Sequence, residues 1–291
     1  MLIARLIADT GTLSASGKVA LAHLQTQGIA AQADDLGDGL VQFTAETADR
    51  ATFREVLDAA FVPSDLLLAD HLPQVPHLFV SDMDSTMISA ECIDELADFA
   101  GIKHQIAAIT ERAMQGELDF ESALRERVLL LRDLSEGAIA ECLATRITPM
   151  PGAKALVATL KARGCRTVLV TGGFHQFADP VAEDLGFEHV VANRLAVEGG
   201  KLTGGLAGPI TDSSVKMAVL LEEAALLGEG TISLATGDGA NDIPMIEAAT
   251  YGIAYRAKPK ARAAADGWID HGDLTAVLRL LGVPRSEWVW E

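Results

Sequence analysis

Three apolar runs in this chain stop abruptly in polar or glycine-rich loops, and no other feature restricts the fold as strongly. The runs are Leu78-Phe79-Val80, followed by SDMDST; Thr167 to Val170, followed by TGG; and Thr231 to Ala235, followed by TGDGAND. Short, continuous apolar runs of this kind make strands buried on both faces. Such strands belong to parallel sheets covered by helices. From Pro149 onward helix and strand alternate regularly, with helices over 153–163, 174–185, 214–227 and 242–249. Strands fall between them at 167–170, 190–191, 231–235 and 251–255, and Gly199-Gly200 marks a hairpin over 195–206. Alternation of this kind implies a parallel sheet with right-handed crossovers.

Ligands of such sheets sit outside the carboxyl ends of the strands, so the three loops meet if their strands are neighbours. Asp82 and Asp84 are two residues apart and point to one side of an extended chain. Carboxylates that close repel, so the pair needs a cation or one member holds a proton. Asp238 and Asp242 bring two more carboxylates to the same place. That concentration calls for a metal, and oxygen-only donors suit Mg2+. Thr171-Gly172-Gly173 offers the opposite chemistry, a hydroxyl and bared N–H groups for phosphate. Lys216 lies between the hairpin and the last core strand, where such a site needs a fixed positive charge. Taken alone, each feature has a plainer reading: a helix cap, a glycine turn, a solvated lysine.

Two further regions flank this core. Residues 88–147 read as four helical segments inserted between the first two core strands, with Ser135 as an N-cap. An insert at a strand end is a natural lid. Residues 1–75 read as a separate small unit of roughly β-α-β-α order, with room for another strand at 30–34. That mixed order fits a ferredoxin-like α+β sandwich, the shape of ACT regulatory domains. It is read as a docking or dimerisation module. Pro63, Pro73 and Pro76 place a linker between 63 and 76.

The totals bound the function. The chain has 291 residues, and its formal net charge of −18 argues against nucleic acid and against an anionic membrane surface. Cys92, Cys142 and Cys165 are widely spaced with no CxxC, which suggests reduced thiols in a cytoplasmic protein. No apolar run reaches the length of a membrane span, and the N-terminus lacks the apolar stretch of a signal peptide.

Taken together, DMDSTMISAECIDELA, MQGELDFESALRERVLLL, TGGF, NRL with its hairpin, DSSVK and GDGANDIPM resemble the phosphoserine phosphatase family of haloacid dehalogenase-like phosphohydrolases. The resemblance covers residues 77–285 and is weaker before them, where bacterial members often carry an ACT-like domain. It implies a Rossmann-like core with a helical cap over 88–147, and Mg-dependent hydrolysis of O-phosphoserine, the last step of serine biosynthesis. It implies Asp82 as nucleophile and Asp84 as general acid and base. Mg2+ would be held by Asp82, Asp238 and the main-chain carbonyl of Asp84. Thr171, Gly172, Lys216 and Asn241 would hold the phosphoryl oxygens, and Asp242 would orient Lys216 or a metal-bound water. Arg127 would bind the substrate carboxylate, Glu91 its ammonium, and Met114 and Phe120 would close over it. The family usually has serine at Thr171, and the hydroxyl survives that change. Two rival readings remain. One is another phosphatase or a phosphotransferase of the same superfamily. The other is an amino-acid-sensing regulator that works through residues 1–75.

Overall fold

The computed structural model describes residues 1–8, 10–115 and 117–290, without the side chains of 10–14 and 114. Its elements are β1 (Leu2–Ile7), α1 (Thr10–Thr26), β2 (Ala31–Gly37), β3 (Leu40–Ala45), α2 (Arg50–Ala60), β4 (Asp65–Ala69) and β5 (Leu78–Ser81). Four helices follow, α3 (Cys92–Phe99), α4 (Lys103–Met114), α5 (Phe120–Leu130) and α6 (Glu136–Arg146). Then come α7 (Ala153–Ala162), β6 (Arg166–Phe174), α8 (His175–Leu185), β7 (His189–Asn193), β8 (Leu195–Glu198) and β9 (Lys201–Leu206). The chain closes with α9 (Ser213–Leu227), β10 (Ser233–Gly237), α10 (Ile243–Ala248), β11 (Tyr251–Tyr255), α11 (Pro259–Ala264), β12 (Gly267–Ile269) and α12 (Thr275–Leu281).

Ten strands form one sheet, in the order β2-β3-β1-β4-β12-β11-β10-β5-β6-β7. From β12 to β7 every neighbouring pair is parallel. All residues of β5, β10 and β11 are buried, as continuous apolar strands require. The first four strands pair antiparallel, with β1 between β3 and β4. The outermost, β2, is largely exposed and carries Asp34 and Asp35, charges that discourage edge-to-edge pairing.

The stretch expected as a linker carries β4. Its apolar run Leu66-Leu67-Leu68 is wholly buried, and it pairs antiparallel with β12, Leu66 opposite Trp268 and Leu67 opposite Gly267. The first four strands therefore continue the parallel sheet. Prolines on both sides suggest a linker, but burial of three leucines outweighs them. Two other boundaries differ from expectation. The TGG turn lies inside β6, which runs on to Phe174 with a register shift after Val170. The strand expected at 231–235 begins at Ser233 and continues to Gly237, ending directly at Asp238.

The insert is anchored by a short stem. Ser89 N–H donates to Thr148 O (3.0 Å), and Met150 N–H donates to Met87 O (2.8 Å). Ser135 caps α6 as expected, its hydroxyl accepting from Gly137 N–H at 3.2 Å. The separate β8–β9 hairpin docks on the insert through Leu202, which donates to Leu134 O and accepts from Asp133 N–H, both at 2.9 Å. No described helix is long and apolar enough to cross a membrane.

Candidate active site

β5 sits between β10 and β6, so its end is flanked by the ends of both neighbours. Asp82 is the first residue beyond it, fixed by its N–H to Thr236 O at 2.9 Å. The chain then turns tightly, with the N–H groups of Thr86, Met87 and Ile88 all directed at Met83 O. Within that turn Ser85 adopts a positive φ of 57°, and its hydroxyl donates to Glu91 Oε1 at 2.8 Å. The turn thereby fixes a carboxylate of the insert beside the sheet.

Lys216 enters from the first turn of α9. That helix is capped by Asp212, which accepts from Ser214 and Val215 N–H at 2.9 and 3.1 Å. The Lys216 side chain is 1% exposed, and its Nζ donates to Asp82 Oδ1 and Asp242 Oδ1, both at 2.6 Å. Burial alone pulls an ammonium down, but the two carboxylates prevail and hold Lys216 above its ordinary value. It is a fixed cation. Asp242 is fully satisfied: its second oxygen accepts from Asp238 N–H at 3.1 Å and Gly239 N–H at 2.9 Å. This close packing explains the glycines of GDG. A Cβ on Gly237 would lie 2.4 Å from Asp242 Cγ, and one on Gly239 would lie 2.4 Å from Asn241 Oδ1.

The other carboxylates are less well compensated. Burial, then Asp242, pushes Asp82 up against the pull of Lys216. Burial, then Glu91, pushes Asp84 up to about 7, and its Oδ1 is buried with no hydrogen-bond partner among the described residues. Burial pushes Asp238 up to about 6, opposed by Lys258. Single oxygens of Asp82, Asp238 and Asp242 lie within 4.8 Å of one another. Both oxygens of Asp242 are already engaged, so Asp82 and Asp238 are the members with capacity for a cation.

On β6, Thr171 is buried and its hydroxyl oxygen accepts from Gly173 N–H at 2.9 Å, leaving its hydrogen to donate elsewhere. Asn193 holds this bulge. Its Nδ2 donates to Gly172 O at 2.8 Å, and its Oδ1 accepts from Thr211 N–H at 2.8 Å. Its buried amide shapes the site, and the NRL motif is its only signal in the sequence.

These groups surround a cavity of about 370 Å³ lined by Asp82, Asp84, Glu91, Phe120, Arg127, Thr171, Gly172, Asp238, Asn241 and Lys258. Every residue expected at the site is therefore brought to it except three. Lys216 and Asp242 stand behind Asp82 and Asp238 rather than on the cavity wall. The Met114 side chain lies outside the described structure. Arg127 donates through Nε to Ala123 O at 3.2 Å in its own helix. Burial lowers its pKa, against the pull of Asp94 and Glu91. The Phe120 ring stands over Gly172, 3.5 Å from where a Cβ would be. Lys258 was not anticipated.

Residues 79–247 match the family model described as haloacid dehalogenase-like hydrolase, and residues 229–281 match a second model of the same description. A phosphoserine phosphatase of Streptococcus thermophilus is 45% identical over 211 residues, which are 72% of this chain and 98% of that one. This chain belongs to the phosphoserine phosphatase family of haloacid dehalogenase-like hydrolases. A crystal structure of a probable phosphoserine phosphatase from Vibrio cholerae, in unliganded form, has a TM-score of 0.77 at 32% identity, covering 98% of this chain and 88% of that one. A structure of a phospho-aspartyl intermediate analogue of phosphoserine phosphatase matches with a TM-score of 0.64 at 39% identity, over 71% of this chain and 99% of that one.

Proposed function

We propose that this enzyme hydrolyses O-phospho-L-serine to L-serine and phosphate through an aspartyl-phosphate on Asp82. One observation carries the substrate choice: Glu91 and Arg127, an acid and a base, line the same cavity as Asp82, Asp84 and Thr171. A sugar phosphate needs neither charge. A zwitterionic amino acid needs both, the guanidinium fork on the carboxylate and the acid on the ammonium.

The chain's own groups account for the steps. Lys216 holds Asp82 in place, and a carboxylate so held attacks phosphorus as the P–O bond to serine breaks. Asp84 is kept protonated by burial and by Glu91, and gives its proton to the departing serine oxygen. It then takes a proton from the water that attacks phosphorus, and Asp82 leaves as a free carboxylate. Thr171 donates its free hydroxyl hydrogen to the phosphoryl group, together with Gly172 N–H and Asn241, while Lys216 acts from behind through Asp82.

The donor set fits Mg2+. Asp82 and Asp238 are buried carboxylates whose charge is only partly compensated, the acidic cluster they belong to offers oxygen atoms alone, and Asp84 Oδ1 lacks a partner among the described residues. Asp82, Asp238 and the Asp84 carbonyl would hold the ion. It supplies positive charge that offsets repulsion between the carboxylate and the phosphate dianion.

We read residues 88–147 as a cap that excludes water and residues 1–75 as an ACT-like unit, with the phosphatase proper over 76–291. The βαββαβ order of β1 to β4 supports the second assignment. Three buried free cysteines support a cytoplasmic setting.

The test is phosphate release from L-phosphoserine with Mg2+, against EDTA, Asp82→Asn, p-nitrophenyl phosphate and a sugar phosphate. Fast, metal-dependent release that favours phosphoserine and disappears in the variant is expected. Release from the generic esters alone would overturn the substrate assignment.

A further inference from the structure

Lys258 lines the cavity, yet no step above uses it. It follows β11 and precedes α11, and its main-chain N–H donates to Asp238 O at 2.9 Å. The backbone is thus tied to the strand end that carries a metal-holding carboxylate. The side chain is not tied in the same way. It is 71% exposed, with Nζ 3.6 Å from Asp238 Oδ2.

The charges around the cavity are unbalanced. Four carboxylates line it, Asp82, Asp84, Glu91 and Asp238, against two cations, Arg127 and Lys258. Arg127 belongs to the insert, and Lys216 is buried against Asp82 and Asp242. Among the residues that line the cavity, Lys258 is the one cation contributed from the sheet side. Its helix is held from outside. Asp58 of α2 accepts from both Arg262 nitrogens at 2.8 Å, and Arg54 donates to Ala265 O at 2.5 Å. A fixed backbone with a free, four-carbon side chain is the arrangement a movable charge requires.

We propose that Lys258 is a movable cation of the phosphate site: it neutralises Asp238 in the metal-free enzyme and turns to the anionic end of the phosphoester once a divalent cation is bound. The identity of that anion rests on the phosphatase reading. The competition with the metal does not. An ammonium near a ligand carboxylate opposes a second cation there by Coulomb repulsion, and high exposure keeps the effect small.

The two halves predict opposite signs, which separates them from mere structural damage. The full chain is compared with Lys258→Met and Lys258→Arg. Free Mn2+ is followed by EPR as the metal-free protein is titrated, and inorganic phosphate binding to Mg2+-loaded protein is measured by calorimetry. In Lys258→Met, Mn2+ should bind about 2- to 5-fold more tightly, as expected for an exposed ion pair. Phosphate should bind about 3- to 10-fold more weakly. Lys258→Arg should restore both to within about 2-fold. Mn2+ affinity that is unchanged or weaker in Lys258→Met overturns the first half, and unchanged phosphate affinity overturns the second. If phosphoserine proves not to be the substrate, wild-type turnover fails while both binding shifts persist.

Discussion

The four carboxylates at the sheet's end have different duties because their neighbours differ. Asp242 is saturated by Lys216 and two N–H groups, so it holds the cation in place. Asp84 and Asp238 are pushed up to about 7 and about 6, chiefly by burial. A carboxyl raised on folding favours the folded state fully below its ordinary value, near 4, and loses that contribution as pH rises through 6 to 7. A metal held by the Asp238 carboxylate needs that group deprotonated, so protons and metal compete there. Each proton displaced costs about 1.4 kcal/mol for every pH unit below the group's pKa. The rise in Tm on adding Mg2+ should therefore be several degrees greater at pH 8 than at pH 5, measured by calorimetry. Equal rises at both pH values would show that Asp238 does not titrate against the metal. Arg127 gives a second check. Arg127→Lys keeps the charge but loses the fork, so KM for phosphoserine should rise about 10-fold or more, with kcat changed less. A fall confined to kcat would remove Arg127 from substrate binding. Most of these residues were legible because each loop carries its chemistry in one short, contiguous string. Asn193 and Lys258 were not. A lone polar residue at a strand end looks solvated until the fold shows what it touches.

At the scale of elements, the seam between β4 and β12 carries the least anticipated energetics. Asp65, at the start of β4, accepts from the N–H groups of Asp270, His271 and Gly272 at 2.9, 3.0 and 3.0 Å. Trp268 of β12 donates to Ser64 O at 3.1 Å. The two halves of the chain thus satisfy each other's backbone. Asp65→Ala leaves three N–H groups without that acceptor and should cost about 2–4 kcal/mol in urea unfolding. Asp65→Asn keeps one acceptor oxygen and should fall between. A loss below about 0.5 kcal/mol for Asp65→Ala would mean that water replaces the carboxylate readily. The helices were readable from apolar period, often to within a residue, as with Lys103–Met114 of the insert. β4 was not, because local proline chemistry concealed a pairing whose partner lies about 200 residues away. Pairings at that range leave no local period in a sequence.

At the scale of the molecule, the question is whether the first 75 residues are an attachment or a part. The Streptococcus thermophilus relative is spanned at 98% of its length by a match to 72% of this chain, so a catalytic core of this kind stands almost alone there. In this chain the same core ends differently. Trp268 is fully buried and packs in one apolar cluster with Phe43, Phe53, Leu57, Leu66 and Leu68 of the N-terminal part. Arg54 and Arg262 lie over its ring at 5.0 and 4.0 Å. Cutting the chain at residue 75 would bare that tryptophan and leave β12 as an open edge, the two features that promote association of sheets. It would also remove Asp58 and Arg54, which hold α11 and through it the backbone of Lys258. Residues 76–291 alone should therefore sediment as aggregates or unfold at least about 10 °C below the full chain, a loss of about 3 kcal/mol or more at this size. Any soluble fraction should bind phosphate more weakly than the full chain while keeping Asp82, Lys216 and Asp238 in place. A monomer with full-chain Tm and phosphate affinity would show that the continuous sheet is dispensable to the site. The opposite result would make the N-terminal strands a working part of the catalytic sheet, since without Asp58 and Arg54 only Asp270, 2.8 Å from Arg262 Nε, would remain of the side-chain ties that hold α11 here.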